Sequence, residues 1–514
     1  MSKKHPHSNA RQGIRFWALG LMVSVSLALV ACQGTLALNP QTPAWVASAT
    51  PNMPMADLVG SGIEGTAIRP ERVGDESGLI HQTVKKTPAQ YTDLWQRIRA
   101  EMKLPTLGDG AAAQKLLQHQ RWYESNDKHL ARVFMRAQRY LFDIVEQVEA
   151  QGLPAEIALL PAVESAFMPS AHSSAAADGL WQFIAPTGRR FDLKQHMFQD
   201  DRRNVRAATQ AALRYLTELQ TRYNGDYQLA LAAYNCGEGC IDAAIRRARA
   251  KGLEGRFEDL ELNKETANYV PRLLALTQLI ARKVDEGQSS ELPTMTNAPY
   301  YTAVSISRDI DIKRAAEFAG LTVTEFKELN PQHKKPVIVA ASNAQVLVPV
   351  KQEEVFREAM ARYRGPLSTW STTTVSKRMP IEVLALQHGV TPASLRDVNT
   401  IPKGHLVAAG STIVIPRAMP GHDIPAMVAE NATLATVPAM VRAKVNIHKK
   451  ENWTALAQRL GVKVVQLQAW NPGVKRLRAG SLALTLPIDL AERVQSLAPV
   501  IKATSRSVGR VKQG

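Results

Sequence analysis

Pro154-Ala-Glu-Ile-Ala-Leu-Leu-Pro-Ala-Val-Glu-Ser165 runs through a Ser/Ala-rich passage into Asp178-Gly-Leu-Trp-Gln-Phe183, and the rest of the chain is arranged around these residues. Pro154 stands where a helix favours its first residue. Ile157, Leu160 and Val163 recur at helical spacing, which predicts Glu164 near the end of a largely apolar helix. Two readings of Glu164 stay open from this helix alone. One is a solvated helix-end carboxylate; the other is a carboxyl among apolar side chains, whose pKa rises until it keeps a proton near neutral pH, as a general acid needs.

Working outward, Gly179, Leu180, Trp181 and Gln182 set a flexible backbone position, an aromatic plate and a side-chain amide in succession. Such a set can line a sugar groove, with the ring stacked on a pyranose and the amide bonded to hydroxyl or acetamido groups. Ala233-Tyr234-Asn235-Cys236-Gly237 closes one predicted helix, and Glu265-Thr-Ala-Asn-Tyr-Val270 opens another. Tyr269 shares a face with Leu273, Leu276 and Ile280, so periodicity alone reads it as a core tyrosine. Tyr234 has the same ambiguity, and Asn235 reads equally as a C-terminal cap.

The four motifs Glu-Ser, Gly-Leu-Trp-Gln, Ala-Tyr-Asn and Glu-Thr-x-x-Tyr-Val, in this order, resemble the soluble lytic transglycosylase family with its goose-type lysozyme-like fold. The resemblance implies a mainly α catalytic domain over 91–286. Its reaction would be non-hydrolytic cleavage of the MurNAc-β-1,4-GlcNAc bond of peptidoglycan, leaving 1,6-anhydro-MurNAc ends. It makes Glu164 the catalytic residue, and Ser165, Gly179, Leu180, Trp181, Gln182, Tyr234, Asn235 and Tyr269 the substrate-binding set. An ordinary glycosidase uses two carboxylates. Asp178 is the one candidate for a second, and its place beside a flexible loop reads first as solvated. The alternatives are a muramidase that hydrolyses the same bond and a non-catalytic cell-wall-binding scaffold.

The 514-residue chain carries a formal charge of +17. Lys3, Lys4, Arg11 and Arg15 precede an apolar run from Phe16 to Val30, too short for a comfortable span and suited to an export signal. Leu29-Val-Ala-Cys32 resembles a lipobox, which makes residues 1–32 a lipoprotein signal peptide, with a signal anchor as the competing reading. Cys32 is then the lipidated mature N-terminus, and Gln33 favours the periplasmic side of the outer membrane. Without residues 1–32 the charge falls to +13, and residues 441–514 alone hold a net +11. In an exported protein this basic region faces an anionic wall or lipid surface rather than nucleic acid, for which it holds no reader motif.

Cys236 and Cys240, in Cys-Gly-Glu-Gly-Cys, read either as a possible disulfide or as free thiols. Neither a metal nor a cofactor is expected, since no His or third Cys lies near enough to complete a ligand set. Residues 33–90, rich in Pro, Gly, Ser and Thr, read as a flexible tether. Tyr91–Met102, Leu116–Gln151 and Val205–Tyr223 read as helices, the last with Asp201 as an N-cap.

Beyond Glu286 an internal repeat appears. Gly320 to Asn330, Gly389 to Asn399 and Gly461 to Asn471 keep one spacing. Each copy closes on an apolar strand ending in Pro349, Pro416 or Pro487. The pattern resembles LysM modules, small βααβ units that bind cell-wall glycan, at 300–350 (degenerate), 369–417 and 441–488, with a basic tail at 489–514 and Pro-rich spacers such as 416–438. The fold class is therefore α+β multidomain. Peptidoglycan strands and the outer membrane, through the lipid, are the expected partners, and the sequence does not specify an oligomeric state.

Overall fold

The computed structural model describes residue 91 and residues 93–417 and 422–496. The signal peptide with Cys32, the tether and residues 497–514 of the basic tail lie outside the described residues. Among the described residues, no helix is long and apolar enough to cross a membrane.

The first half is helical: α1 (Leu94–Ala100), α2 (Ala111–Ser125), α3 (Asp127–Ala137), α4 (Leu141–Ala150), α5 (Leu160–Glu164), α6 (Ala185–Arg190), α7 (Val205–Arg222), α8 (Tyr227–Cys236), α9 (Glu238–Ala250) and α10 (Thr266–Asp285). Its core gathers Trp95, Phe134, Ile144, Ile157, Leu160, Phe167, Trp181, Leu216, Leu231 and Leu276. The long helix expected over Leu116–Gln151 is instead three helices. Asn126 leaves helical geometry, and its side-chain amide bonds back to the Trp122 carbonyl at 2.8 Å, the local competition by which Asn ends helices. The second break, at residues 138–140, still leaves Leu130, Val133, Phe134, Ala137, Tyr140 and Leu141 buried as the apolar pattern predicts. The cap of α7 is Asn204, which accepts from the Ala207 amide at 3.2 Å; Asp201 stands one turn earlier and accepts from the Asn204 side chain.

The second half holds three βααβ units. The first has β1 (Tyr301–Ser305), β2 (Ile310–Asp311), α11 (Ile312–Phe318), α12 (Val323–Leu329), β3 (Val337–Ile338), β4 (Gln345–Pro349) and an added α13 (Glu353–Arg362). The second has β5 (Trp370–Thr374), β6 (Met379–Pro380), α14 (Ile381–Gln387), α15 (Pro392–Asn399), β7 (His405–Val407) and β8 (Thr412–Pro416). After α16 (Ala426–Asn431) and β9 (Thr436–Pro438), the third has β10 (Met440–Ile447), α17 (Trp453–Leu460), α18 (Val464–Trp470), β11 (Gly480–Pro487) and α19 (Ile488–Ser496).

In every unit the first strand pairs antiparallel with the strand that ends in proline. Tyr301 faces Pro349, Trp370 faces Pro416 and Met440 faces Pro487. Proline has no N–H to give the ladder, so it sits at the strand's last position. The repeated Gly ends the first helix of each unit in left-handed geometry, with φ of 63°, 64° and 70° at Gly320, Gly389 and Gly461. The repeated Asn is a clamp. Asn330 accepts from the Leu347 amide and donates to the Phe326 and Leu347 carbonyls. Asn399 does the same with Val414 and Leu395, and Asn471 with Thr485 and Leu467.

Two expectations change here. From residue 422 on, the Pro-rich spacer is structured, for Ile424, Ala429 and Ala432 are buried with Phe198, Val337, Val339 and Val414 in one apolar cluster. The start of the basic tail is also ordered, since Leu490 and Ala491 of α19 join the core of the third unit. The first unit is bound to the helical half through backbone pairing. Asp200 N–H donates to the Gln332 carbonyl at 3.0 Å, and Lys334 N–H to the Phe198 carbonyl at 2.8 Å.

Candidate active site

A 3-10 turn over Ala155–Leu159, capped by Pro154, runs straight into α5, so the predicted helix exists with Glu164 as its last residue. Ile157 and Leu160 are fully buried beneath it. The chain then reverses sharply. Ser165 and Phe167 both donate their amides to the Pro161 carbonyl, at 3.1 and 3.0 Å. Ala166 and Phe167 both adopt positive φ, 52° and 55°. Two successive non-glycine residues in this region cost energy, and the buried Phe167 ring anchors the turn. The result is a half-buried carboxyl held at the end of a rigid apolar element.

Burial raises the Glu164 pKa from 4.5 to about 7, and the repulsion of Glu265 adds to this. A hydrogen bond from Tyr269 and the charge of Arg272 act against it without cancelling it. The Tyr269 hydroxyl donates directly to Glu164 Oε1. Tyr269 is itself buried, and burial followed by the charge of Glu164 drives its own pKa well upward, so it stays a donor at any physiological pH.

The other motifs interlock through backbone carbonyls. Ser165 Oγ donates to the Leu180 carbonyl at 2.9 Å, and Tyr234 Oη donates to the Trp181 carbonyl at 2.9 Å. Gln182 Nε2 reaches the Gly179 carbonyl at 2.8 Å, and Gln182 takes a φ of 50°. A Cβ on Gly179, whose φ is 85°, would fall 1.8 Å from the Arg202 carbonyl oxygen, so only glycine lets the turn lie against that backbone. Thr266 Oγ1 donates to Asn235 Oδ1 at 2.7 Å and joins the end of α8 to the start of α10.

The structure corrects several expected roles. Trp181 is no sugar plate: it is fully buried, and its indole N–H donates to Thr209 Oγ1 at 2.9 Å inside the core. Leu180 is buried beside it. Ser165 spends its hydroxyl on two carbonyls and, with Gly179, shapes the turn instead of facing substrate. Asn235 is not the cap of α8, which is Gly237 at φ 88°. Asp178 is buried against Arg202 and Arg203. Burial acts to raise its pKa, but the hydrogen bonds of Arg203 and His172 and the charges of both arginines outweigh that and hold it below the usual range.

Sequence reading missed Arg272. It lies three residues beyond Tyr269, one turn along α10, and that i,i+3 spacing was the available signal. Among the described residues its buried Nε has no hydrogen-bond partner. The sulfurs of Cys236 and Cys240 lie within bonding reach, with Cα atoms 5.9 Å apart.

The chain is similar to several known proteins. Residues 144–255 match the Transglycosylase SLT domain, residues 300–365 the LysM-like domain of lytic transglycosylase MltD, and residues 381–416 the LysM domain. Membrane-bound lytic murein transglycosylase D of Escherichia coli (strain K12) is 30% identical over 401 residues, covering 76% of this chain and 84% of that protein. The peptidoglycan transglycosylase gp16 of Escherichia phage T7 is 33% identical over 112 residues, 22% of this chain and 8% of that one. An inactive mutant of the lytic transglycosylase Slt from Pseudomonas aeruginosa overlaps 28% of this chain and 24% of its own, at 25% identity and a TM-score of 0.24.

An SLT fold built around a protonatable glutamate and followed by LysM units defines a lytic transglycosylase acting on peptidoglycan. The chain belongs to the membrane-bound lytic murein transglycosylase D family.

Proposed function

We propose that Glu164 alone carries both halves of the bond cleavage. In its protonated form it gives its proton to the oxygen between MurNAc and GlcNAc, and that bond breaks to leave an oxocarbenium-like sugar. The substrate acetamido group and surrounding dipoles stabilise the positive charge. Glu164, now a carboxylate, removes the proton from the C6 hydroxyl of the same MurNAc, whose oxygen closes onto C1 as a 1,6-anhydro ring. The nucleophile is already part of the substrate, so proximity replaces an activated water and a second carboxylate.

The observation that carries this reading is the pairing of Glu164, raised to about 7, with the hydroxyl of Tyr269. Asp178, committed to two arginines, is unsuited to a second catalytic role. In this scheme Tyr269 aims the Glu164 carboxyl, Ser165 and Tyr234 hold the Gly179–Gln182 turn beside it, and the free amide atoms of Gln182 and Asn235 bind the sugar.

Digestion of purified sacculi by the wild-type protein and by Glu164→Gln tests the proposal. The expected fragments are one water lighter than muramidase products and vanish with the substitution. Fragments of hydrolytic mass would replace transglycosylation by hydrolysis.

The reading extends to both ends of the chain. Cys32 carries lipid and anchors the protein to the periplasmic side of the outer membrane, which the signal-like start and the membrane-bound relative support. Cys236 and Cys240 form a disulfide in that oxidising compartment. Residues 441–488 act as a third LysM-like module, which the shared Asn clamp supports.

A further inference from the structure

Beside the catalytic glutamate lies a group of cations that the cleavage chemistry does not use. His129, Arg132 and Arg136 follow one another at i, i+3 and i+7 on α3 and so share a face. Arg136 Nε donates to the Ala166 carbonyl at 2.8 Å, two residues past Glu164, which fixes this face at the rim of the site. Burial and then the charges of Arg132 and Arg136 hold His129 below the usual imidazole range, and burial and Arg132 lower Arg136. Trp122 joins this group to α2: its ring is 47% exposed and packs edge-on to His129, with centroids 5.3 Å apart. Its neighbour Tyr123 feels the charge of Arg272, which in turn acts on Glu164. Arg136 thus lies against the turn that follows Glu164, and Arg272 acts on the carboxyl itself.

Arg132, Arg136 and Arg272 have no ion-pair partner within 4.0 Å among the described residues. Nearby arginines do: Arg282, on α10, pairs with Glu124, and Arg139, just past α3, pairs with Glu328. Like charges one turn apart repel, and a fold that leaves them uncompensated is complementary to an anion supplied from outside. The substrate carries one. MurNAc bears a short peptide with free carboxylates, attached through its C3 lactyl group next to the bond that Glu164 acts on.

We propose that Arg132 and Arg136, with Arg272 and the exposed Trp122, form a binding site for the carboxylates of the stem peptide and make the enzyme selective for peptide-bearing, anionic strands. The proposal rests on the acid role of Glu164 and adds a specificity determinant to it.

The test uses the full chain and soluble peptidoglycan strands in two forms, one with free stem carboxylates and one with those carboxylates converted to carboxamides. Release of anhydro ends is measured on both. The wild-type protein should prefer free-carboxylate strands by about tenfold in kcat/KM, mainly through KM, and the preference should shrink as salt is raised. Arg132 is exposed and makes no hydrogen bond to another element among the described residues, so Arg132→Gln should fold, and it should bring the ratio of the two substrates close to one. Arg132→Lys should restore most of it. Equal wild-type rates on both substrates, or a preference unchanged in folded Arg132→Gln, would overturn the proposal. So would a wild-type preference that stays constant as salt is raised, a measurement that needs no substitution. Absence of anhydro ends from either substrate with wild-type protein would instead refute the role given to Glu164.

Discussion

The Tyr269 hydroxyl donates to Glu164 Oε1 across 105 residues of chain, from a buried tyrosine to a half-buried carboxyl. This bond tunes the carboxyl. It stabilises the carboxylate and so pulls the Glu164 pKa down from where burial alone would leave it.

Tyr269→Phe should therefore move the alkaline limb of the pH–rate profile upward, since the acid form persists to higher pH. The limb of wild-type protein is expected near pH 7. Turnover should fall about tenfold to a hundredfold as the carboxyl loses its orientation. Steady-state rates of anhydro-end release across pH, for both proteins, check the direction.

Glu164→Gln should separate activity from stability. Loss of the proposed acid should lower turnover by about a thousandfold. The folded state holds the Glu164 proton more tightly than the unfolded chain does, so wild-type stability falls as pH rises from 4.5 to about 7. A neutral amide avoids that loss. Discounted for partial exposure, Glu164→Gln should be more stable at pH 8 by about 1–2 kcal/mol, and no more stable at pH 4. Denaturant melts at the two pH values measure the difference.

Trp181→Phe should act on stability and leave substrate affinity alone. The indole fills the core and donates to Thr209, so the change should cost about 1–3 kcal/mol while KM stays within about twofold. Gly179→Ala should be harsher, about 4 kcal/mol or more, because the new methyl would meet the Arg202 carbonyl at 1.8 Å. A large rise in KM for folded Trp181→Phe would return the ring to the sugar groove.

Asn471→Ala should unfold one unit. Its amide makes three hydrogen bonds, two to Thr485 of β11 and one back to Leu467 of α18, worth together about 2–4 kcal/mol with the desolvated backbone groups left behind. Amide exchange should accelerate over residues 440–487 and stay slow over 300–349, which has its own clamp at Asn330 and its own core.

Much of this was legible in the chain. The place of Glu164 followed from helical spacing and the triplicate units from the constant Gly-to-Asn distance, whereas the bond from Tyr269 to Glu164 was not foreseen, since the motif pointed that tyrosine at the sugar. Trp181 was misread because an aromatic residue at a turn carries no sign of which side of the backbone it faces; its partner, Thr209, is far away in sequence. Arg272 was passed over because a cation on an apolar helix has no visible meaning until the acid it faces is known. The spacer before Pro438 read as a linker because its buried residues, Ile424 and Ala429, find their neighbours only on other elements.

That shared cluster has a mechanical result. Phe198 comes from the catalytic half, Val337 and Val339 from the first small unit, and Val414 from the second. A wall polymer held by either unit would therefore meet Glu164 at a set offset, as wire meets the blade of a gauge, rather than on a loose leash.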